Sequence, residues 1–466
     1  MTLNTAHEHA GSVRAVSGSF RDPAGRVFVR GTDVLRVLFD AARHDYEHLM
    51  KSGLYDRLVD KGLLVPHTEV TRATWEPPNA WRVLRPERVP FISYASEWCF
   101  SQLRDAAMTT LQVQREALRF GMTLKDAPTA NVQFLDGRAV LIDTLSLVRR
   151  PAGPWVAYYQ FCKHFVAPLL LVVYGDAHML KLLGAEVDGI PLDRASRLLP
   201  WRSWLRPSAL LHVHLHARAR EPSTPGTVRK TSSDGRTEIL VDNLMHVVER
   251  LRWTPPASDW TRYEKQQPTY TPSAWAARLE LVNRVVAQSK PRTAWDFGAA
   301  TGYVSRITTG HGAFTVAFDA DPSCVELAYR DARREINNRL LPLVQDLLHP
   351  TSCGGWAQGE HPGLIERGPV DLVLALGLIH HLAVPGGIPL DRQLQFFAKV
   401  GRAALIEWVP QDDPVVTAWS NRFRVDCLHE PDFVAAATRH FARIERHQVA
   451  DSRRVLYYLT SQGLCP

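Results

Sequence analysis

The chain has 466 residues, 45% hydrophobic and 22% charged, too long for one ordinary core and too apolar for a disordered or fibrous protein. Its 55 Lys and Arg against 48 Asp and Glu give a formal charge of +7, and because Thr271 to Pro466 is balanced, the surplus lies in the first 270 residues. So mild a surplus suits an anionic ligand or surface and argues against nucleic acid, which needs clustered basic residues. The six cysteines show no C-x-x-C or framework spacing, and Met1 to Ala15 lacks the apolar stretch of a signal peptide, so free thiols and a cytoplasmic setting are expected.

From the N-terminus, Gly18 to Arg36 reads as a hairpin without a glycine-rich turn, and Arg36 with Glu47 is the best stand-in for a strand–helix ion pair. Trp98, Trp155, Trp201 and Trp204 are expected in the core. Met122 to Leu147 (MTLKDAPTANVQFLDGRAVLIDTLSL) places Asp126 and Asn131 before a turn at Asp136–Gly137, and Asp143 at the end of the next apolar strand. Two carboxylates and an amide then face one site across a tight hairpin. The stretch resembles the catalytic loop and metal-binding strand of protein-kinase-like phosphotransferases. The resemblance implies that Asp126 orients an acceptor hydroxyl while Asn131 and Asp143 hold metal ions on phosphates. Lys125 and Thr144–Leu145 depart from that family's pattern. The expectation for residues 1–220 is therefore a degenerate α+β kinase-like domain that binds substrate, with retained phosphoryl transfer as the alternative.

Phe165 to Tyr174 is the longest apolar run, interrupted by Pro168 and too short to cross a bilayer; it reads as a buried helix, and no membrane span is expected. His212, His214 and His216 share one face only on a strand, and without further ligands at suitable spacing no metal is expected there. Glu221 to Arg236 is polar with two prolines and two glycines, and Pro255 to Pro272 is punctuated by prolines around Trp260, Tyr263 and Tyr270. Residues 221–272 are read as a linker and a lid segment in which Tyr263 and Tyr270 fold over a ligand.

Ser273 to Ser289 has helical apolar spacing (Trp275, Leu279, Val282, Val285, Val286), with Ser273 as the expected N-cap. Short apolar runs then alternate with helical segments: Ala294 to Phe297, Thr315 to Phe318, Leu341 to Val344, Asp371 to Leu376 and Ala404 to Val409 suit buried parallel strands. A helix at Glu430 to Phe441 precedes strands at Arg443 to Val449 and Arg454 to Thr460, close enough to form a hairpin. The fold class expected for residues 273–466 is an open α/β, Rossmann-like sheet of five parallel strands plus a terminal hairpin.

Within it, Thr293 to Tyr303 (TAWDFGAATGY) ends a strand at Asp296 and turns through Gly298 and Gly302 into a helix. Asp319 ends the second strand and Asp346 follows the third, so three carboxylates converge on one crevice. Ala300 stands where a dinucleotide loop has its middle glycine, and Asp296 would repel a pyrophosphate, which disfavours an NAD-dependent oxidoreductase. These residues resemble the class I S-adenosylmethionine (SAM)-dependent methyltransferases, whose sheet has seven strands. The resemblance implies SAM as cofactor. Asp296, Gly298, Ala300 and Gly302 then hold its methionine part, Asp319 its ribose and Asp346 its adenine, with Leu376 on the same crevice.

The fourth strand leads into VDLVLALGLIHHL, where His381 is the first candidate for a base and His380 the second; Glu407, with Trp408 at the end of the fifth strand, is the next catalytic candidate on the substrate side. Asp412 and Asp413 read as a helix start. The N-P-P-Y signature of base and amide N-methylation is missing. I-H-H-L, P-L-D-R and L-I-E-W-V-P-Q-D-D-P resemble bacterial methyltransferases related to rhizobial nodulation proteins, which implies a small-molecule or glycan acceptor, O- or N-methylated. The competing expectations are a bifunctional kinase/methyltransferase and a non-catalytic adaptor with a SAM fold. Oligomeric state leaves no mark in the sequence.

Overall fold

A computed structural model describes residues 13–70, 77–218, 234–266, 269–335, 338–419, 422–423 and 428–461. The chain divides into two compact units. The first comprises residues 1–95, 102–253 and 353–361, and the second residues 96–101, 254–352 and 362–466.

The first unit opens on five antiparallel strands, β1 (Val13–Ala15), β2 (Gly25–Arg30), β3 (Asp33–Phe39), β4 (His67–Val70) and β5 (Ala80–Pro86), in the spatial order β1-β2-β3-β5-β4. The expected first hairpin is β2–β3. Two helices, Arg43–Lys51 and Leu54–Asp60, bridge β3 to β4 and meet at Gly53, whose φ of +82° an L side chain rarely adopts. After the long helix Phe100–Arg119 come two small ribbons. One pairs β6 (Met122–Leu124) with β9 (Leu147–Arg149), the other β7 (Val132–Leu135) with β8 (Arg138–Leu141). The β7–β8 turn is Asp136–Gly137, with φ of +49° and +73°, the double left-handed conformation that joins tight hairpins. The apolar run expected as a helix continues a π-helical turn, Cys162–Val166, into Ala167–Tyr174, and is buried along most of its length.

Most of the expected linker, residues 219–233, lies outside the described residues. The chain then runs as a helix, Asp234–Arg250, within the first unit, so residues read as linker form regular structure there. Trp98 and Trp155 are buried as expected, but Trp201 is exposed and Trp204 only half-buried.

The second unit is a seven-stranded sheet of β10 (Thr293–Phe297), β11 (Phe314–Asp319), β12 (Leu340–Val344), β13 (Val370–Ala375), β14 (Gly401–Trp408), β15 (Arg443–Gln448) and β16 (Val455–Thr460). Its order is β12-β11-β10-β13-β14-β16-β15. The first five are parallel, while β16 runs antiparallel to both β14 and β15. This is the order of a Rossmann-like methyltransferase sheet. The parallel strands are apolar along their length because helices cover both faces. One face packs Ala294, Leu372, Leu374 and Leu405 under Val282, Val285 and Val286 of helix Pro272–Ser289. Phe297 stacks on Phe318 at 5.2 Å and 15°, with Trp295 edge-on to Phe318. The helix is capped by Thr271, whose hydroxyl accepts from Ala274 N at 3.2 Å, instead of the expected Ser273: Pro272 sits in the first turn, where its missing N–H costs nothing. Chain order reverses between β10 and β13, opening a crevice at the carboxyl ends of these strands.

Candidate functional site

The loop leaving β10 stands in that crevice. Gly298, Ala300 and Gly302 take φ values of +73°, +47° and +81°. A Cβ on Gly302 would lie 3.3 Å from Arg306 Nη1, so glycine serves there both for its conformation and for close approach. The loop is braced to the neighbouring strand: Gly298 N and Ala299 N donate to the Phe318 carbonyl at 2.9 and 3.0 Å, and Ala300 N donates to Asp319 Oδ2 at 2.7 Å. Asp319 Oδ1 accepts from Asp321 N at 2.9 Å, and the side chain remains partly exposed. Asp296 is buried beneath the loop and accepts from Ser305 Oγ at 2.6 Å, so it shapes the turn from below. Asp346 is partly exposed, and its Oδ1 accepts from Leu348 N at 2.9 Å. Leu376 is buried at the end of β13, and Gly377 beside it has a φ of +70°. The three carboxylates thus lie at the ends of three adjacent strands, bordering a loop whose backbone a ligand can approach. Three carboxylate acceptors around such a loop suit a ligand with hydroxyls and a cationic head, while the Arg306 guanidinium is occupied by the Thr301 and Gly302 carbonyls at 3.1 and 3.0 Å.

His380 and His381 sit on the short helix Ile379–Ala383, their rings 4.3 Å apart. Trp419 stacks on His380 at 5.6 Å and meets His381 edge-on at 4.8 Å, while Trp260 meets His381 edge-on at 5.2 Å. Burial, then the charge of Arg454, lowers His381 to about 4; burial, His381 and Arg454 push His380 well below the ordinary imidazole value. Both rings are therefore neutral at pH 7. His380 Nδ1 is buried without a hydrogen-bond partner among the described residues.

Glu407 is fully buried and engaged by two arginines that sequence reasoning missed. Arg278 Nε and Nη2 donate to its Oε2 at 3.3 and 3.1 Å, and Arg454 Nη1 lies 3.5 Å from its Oε1. Arg454 Nε also donates to Asp413 Oδ2 at 2.8 Å, and the Gly377 backbone hydrogen-bonds to Glu407. Burial pushes the Glu407 carboxyl up to about 7, with Arg454 pulling the other way. Asp413 accepts from Val415 N at 3.0 Å and so starts helix Pro414–Trp419, as expected, while serving the network as well. Tyr270 lies over both guanidinium groups, 5.5 Å from Arg278 and 4.8 Å from Arg454, its hydroxyl buried without a partner among the described residues. Tyr263 bonds Thr269 Oγ1 at 2.9 Å. A signal for Arg278 was present: it falls on the apolar stripe Trp275–Val282–Val285, where a charge demands a partner.

In the first unit, Asp126, Asn131 and Asp143 come together. Asn131 Nδ2 donates to Asp126 Oδ1 at 3.1 Å and to Ser146 Oγ at 2.8 Å, and Ser146 Oγ donates to Asp143 Oδ2 at 2.7 Å. Arg36 on β3 pairs with Asp143, not with Glu47, which holds Lys51 at 3.2 Å. Burial lowers the Arg36 guanidinium to about 10, against the pull of Asp22 and Asp126. Lys125 pairs with Asp22 at 2.8 Å. The three spaced histidines lie on π-helical turns, Leu210–Leu215, and the turn after them. His212 bonds Tyr158 Oη at 2.7 Å and Asn243 Oδ1 at 3.0 Å, His214 bonds Ser196 and Ser203, and His216 stacks on Tyr158.

No family model matches the chain. The nodulation protein NoeA of Rhizobium meliloti (strain 1021) is 30% identical over 459 residues, covering 95% of each chain. Among solved structures, the bifunctional kinase-methyltransferase WbdD is 18% identical at a TM-score of 0.30, covering 46% of this chain and 45% of WbdD. The N-methyltransferase NodS from Bradyrhizobium japonicum WM9 is 11% identical at 0.31, covering 40% and 96%, and the magnesium protoporphyrin IX methyltransferase ChlM from Synechocystis PCC 6803 is 17% identical at 0.30, covering 43% and 95%.

Proposed function

We propose that this chain, which belongs to the family of the nodulation protein NoeA, is a methyltransferase whose second unit binds S-adenosyl-L-methionine. The observation that carries the reading is the loop Gly298–Gly302 at the point where strand order reverses, with Asp319 bracing it from the next strand. Asp319 would take the ribose hydroxyls, Asp346 the adenine, and the loop over Asp296 the methionine part, with Leu376 lining the crevice. When bound, the cofactor supplies an electrophilic methyl group on a cationic sulfur.

The chain's own residues position the acceptor and receive its proton. His381 is assigned that proton: it is neutral, partly exposed, and held edge-on by Trp260 and Trp419. His380, more deeply buried, backs it. Glu407 is committed to Arg278 and Arg454, so we assign it to holding the Gly377 turn in place, not to proton transfer. The acceptor class that the reading favours is a small molecule or glycan, O- or N-methylated, acting in the cytoplasm. Calorimetry with SAM and S-adenosylhomocysteine tests the reading: saturable one-to-one binding is expected, and NAD should give no heat. Absence of SAM binding by the folded full chain overturns it.

A second reading, phosphoryl transfer by the first unit, is favoured by the order β1-β2-β3-β5-β4 and by the Asp126–Asn131–Asp143 cluster beside the two ribbons. The residues do not fit a metal at Asp143, because Arg36 already neutralises that carboxylate. We therefore assign the first unit a substrate-binding role in a degenerate kinase-like fold. No magnesium-dependent ATP binding is expected in calorimetry; binding that Asp143→Asn abolishes would restore phosphoryl transfer.

A further inference from the structure

Between Leu192 and Arg218 the first unit is built of short pieces: the helix Leu192–Leu198, the 3-10 turn Trp201–Leu205, and Pro207–Ala209 running into the π-helical turns Leu210–Leu215. Their inner sides bury Leu192, Ala195, Leu199, Ala209 and Val213. His214 ties the pieces together, its Nδ1 2.7 Å from Ser196 Oγ and its Nε2 2.8 Å from Ser203 Oγ. Trp204 stacks on His214 at 4.1 Å and carries the Arg218 guanidinium at 4.9 Å.

The outer sides are apolar as well. Trp201 is 76% exposed, Leu205 72%, Leu211 51%, and Leu198 and Leu215 46% each. Leu211 and Leu215 stand about one turn apart on one side of their helix. A single exposed leucine needs no account, but five large apolar residues within 18 positions do. Interspersed with them are the exposed Arg202, Arg206 and Arg218. No carboxylate of the described residues lies in an ion pair with any of the three, and Asp193, which pairs with Arg197, is the sole acid from 192 to 218. The next stretch of sequence, 219–233, has one large aliphatic residue, Val228.

We infer that this surface docks on an anionic lipid bilayer. Trp201 and the leucines would enter the headgroup boundary, where an indole finds both an apolar and a wet environment, and the arginines would meet lipid phosphates. Charge argues against the simplest alternative, because a symmetric pairing with a second copy would bring two arginine-bearing faces of the same sign together. The surplus positive charge of the first 270 residues agrees in sign. Among the described residues no helix is long and apolar enough to cross a membrane, so the attachment is to the surface only. The inference is independent of the methyl-transfer reading.

The test is co-sedimentation of the full chain with phosphatidylcholine vesicles, with and without phosphatidylglycerol. Binding is expected only to the anionic vesicles and should weaken as salt rises. Trp201→Ser with Leu205→Ser should reduce it by about tenfold or more, and Arg206→Glu should reduce it severalfold, both with an unchanged melting temperature. Hydrogen exchange of the unaltered chain reads the same surface without substitution, and protection over residues 198–215 on adding anionic vesicles is expected. The inference falls if the chain stays in the supernatant with anionic vesicles at low salt or if the double variant binds as well as the parent. It also falls if the patch drives self-association or capture of an acidic protein without any vesicle binding.

Discussion

Asp319 has two duties, and both end when its carboxylate is removed. It braces the Ala300 amide at 2.7 Å, and in the proposed reading it also accepts from the ribose. Asp319→Ala should raise the SAM dissociation constant by about ten- to a hundredfold, the cost of roughly 1–3 kcal/mol for a lost charge-assisted acceptor, read by calorimetry. His381→Ala should behave oppositely, with cofactor affinity kept and turnover down by about a hundredfold, measured with radiolabelled SAM on the acceptor it methylates. Equal loss of affinity and turnover would make His381 a packing residue of the Trp260–Trp419 cluster. The places of Asp296, Asp319, Asp346 and the glycines, at strand ends and in the turn, were legible because a loop between a buried strand and a helix must carry special residues locally. Arg454 was not legible, since nothing around it in sequence distinguishes it from the exposed Arg453. Its burial depends on Glu407 and Asp413, more than forty residues away.

At the scale of elements, the parallel strands were legible as apolar runs because both of their faces are covered, and the terminal hairpin because its strands lie close in sequence. The pieces between Leu192 and Leu215 were not: each is shorter than the span over which a helical period shows itself. The Asp126–Asn131–Asp143 cluster was legible in composition but not in pairing. Arg36 reaches Asp143 across 107 positions, a contact set by how β3 faces the ribbons. The network joining helix Pro272–Ser289, β14 and the start of β16 is where element packing and site meet. Arg454→Ala removes a cation from two buried carboxylates, Glu407 and Asp413, and leaves Arg278 on Glu407 alone. We expect a loss of about 3–5 kcal/mol in urea unfolding, with Arg454→Lys recovering part of it. A loss under about 1 kcal/mol would show that water or a shift of Arg278 replaces the guanidinium.

For the whole molecule, acid is the revealing variable. His67, His164, His212, His214, His216, His361, His380 and His381 are all lowered from the ordinary imidazole value, burial being the first cause in each. Above about pH 6.5 these groups are neutral folded or unfolded and contribute no slope. Below it the unfolded chain takes up protons that the folded chain refuses, so stability falls with pH until the folded-state values, about 4 for His67 and His381, are reached. Glu407 runs the other way: with its carboxyl raised to about 7, it costs stability as pH rises from its ordinary 4.5. One carboxyl against eight imidazoles leaves the acid loss dominant, and urea midpoints measured from pH 7.5 to 4.5 should decline steadily below 6.5. Strand order in the sheet also bears on how the protein is made. β16, the last strand in chain order, lies between β14 and β15, and Arg454 stands just ahead of it. On the ribosome, then, Glu407 emerges dozens of codons before its second guanidinium, and the earlier strands must wait with a gap for a late arrival. Translation has to reach the closing segment before the unit can lock, so a stalled or prematurely stopped product is expected to be a substrate for proteases and not a slower enzyme.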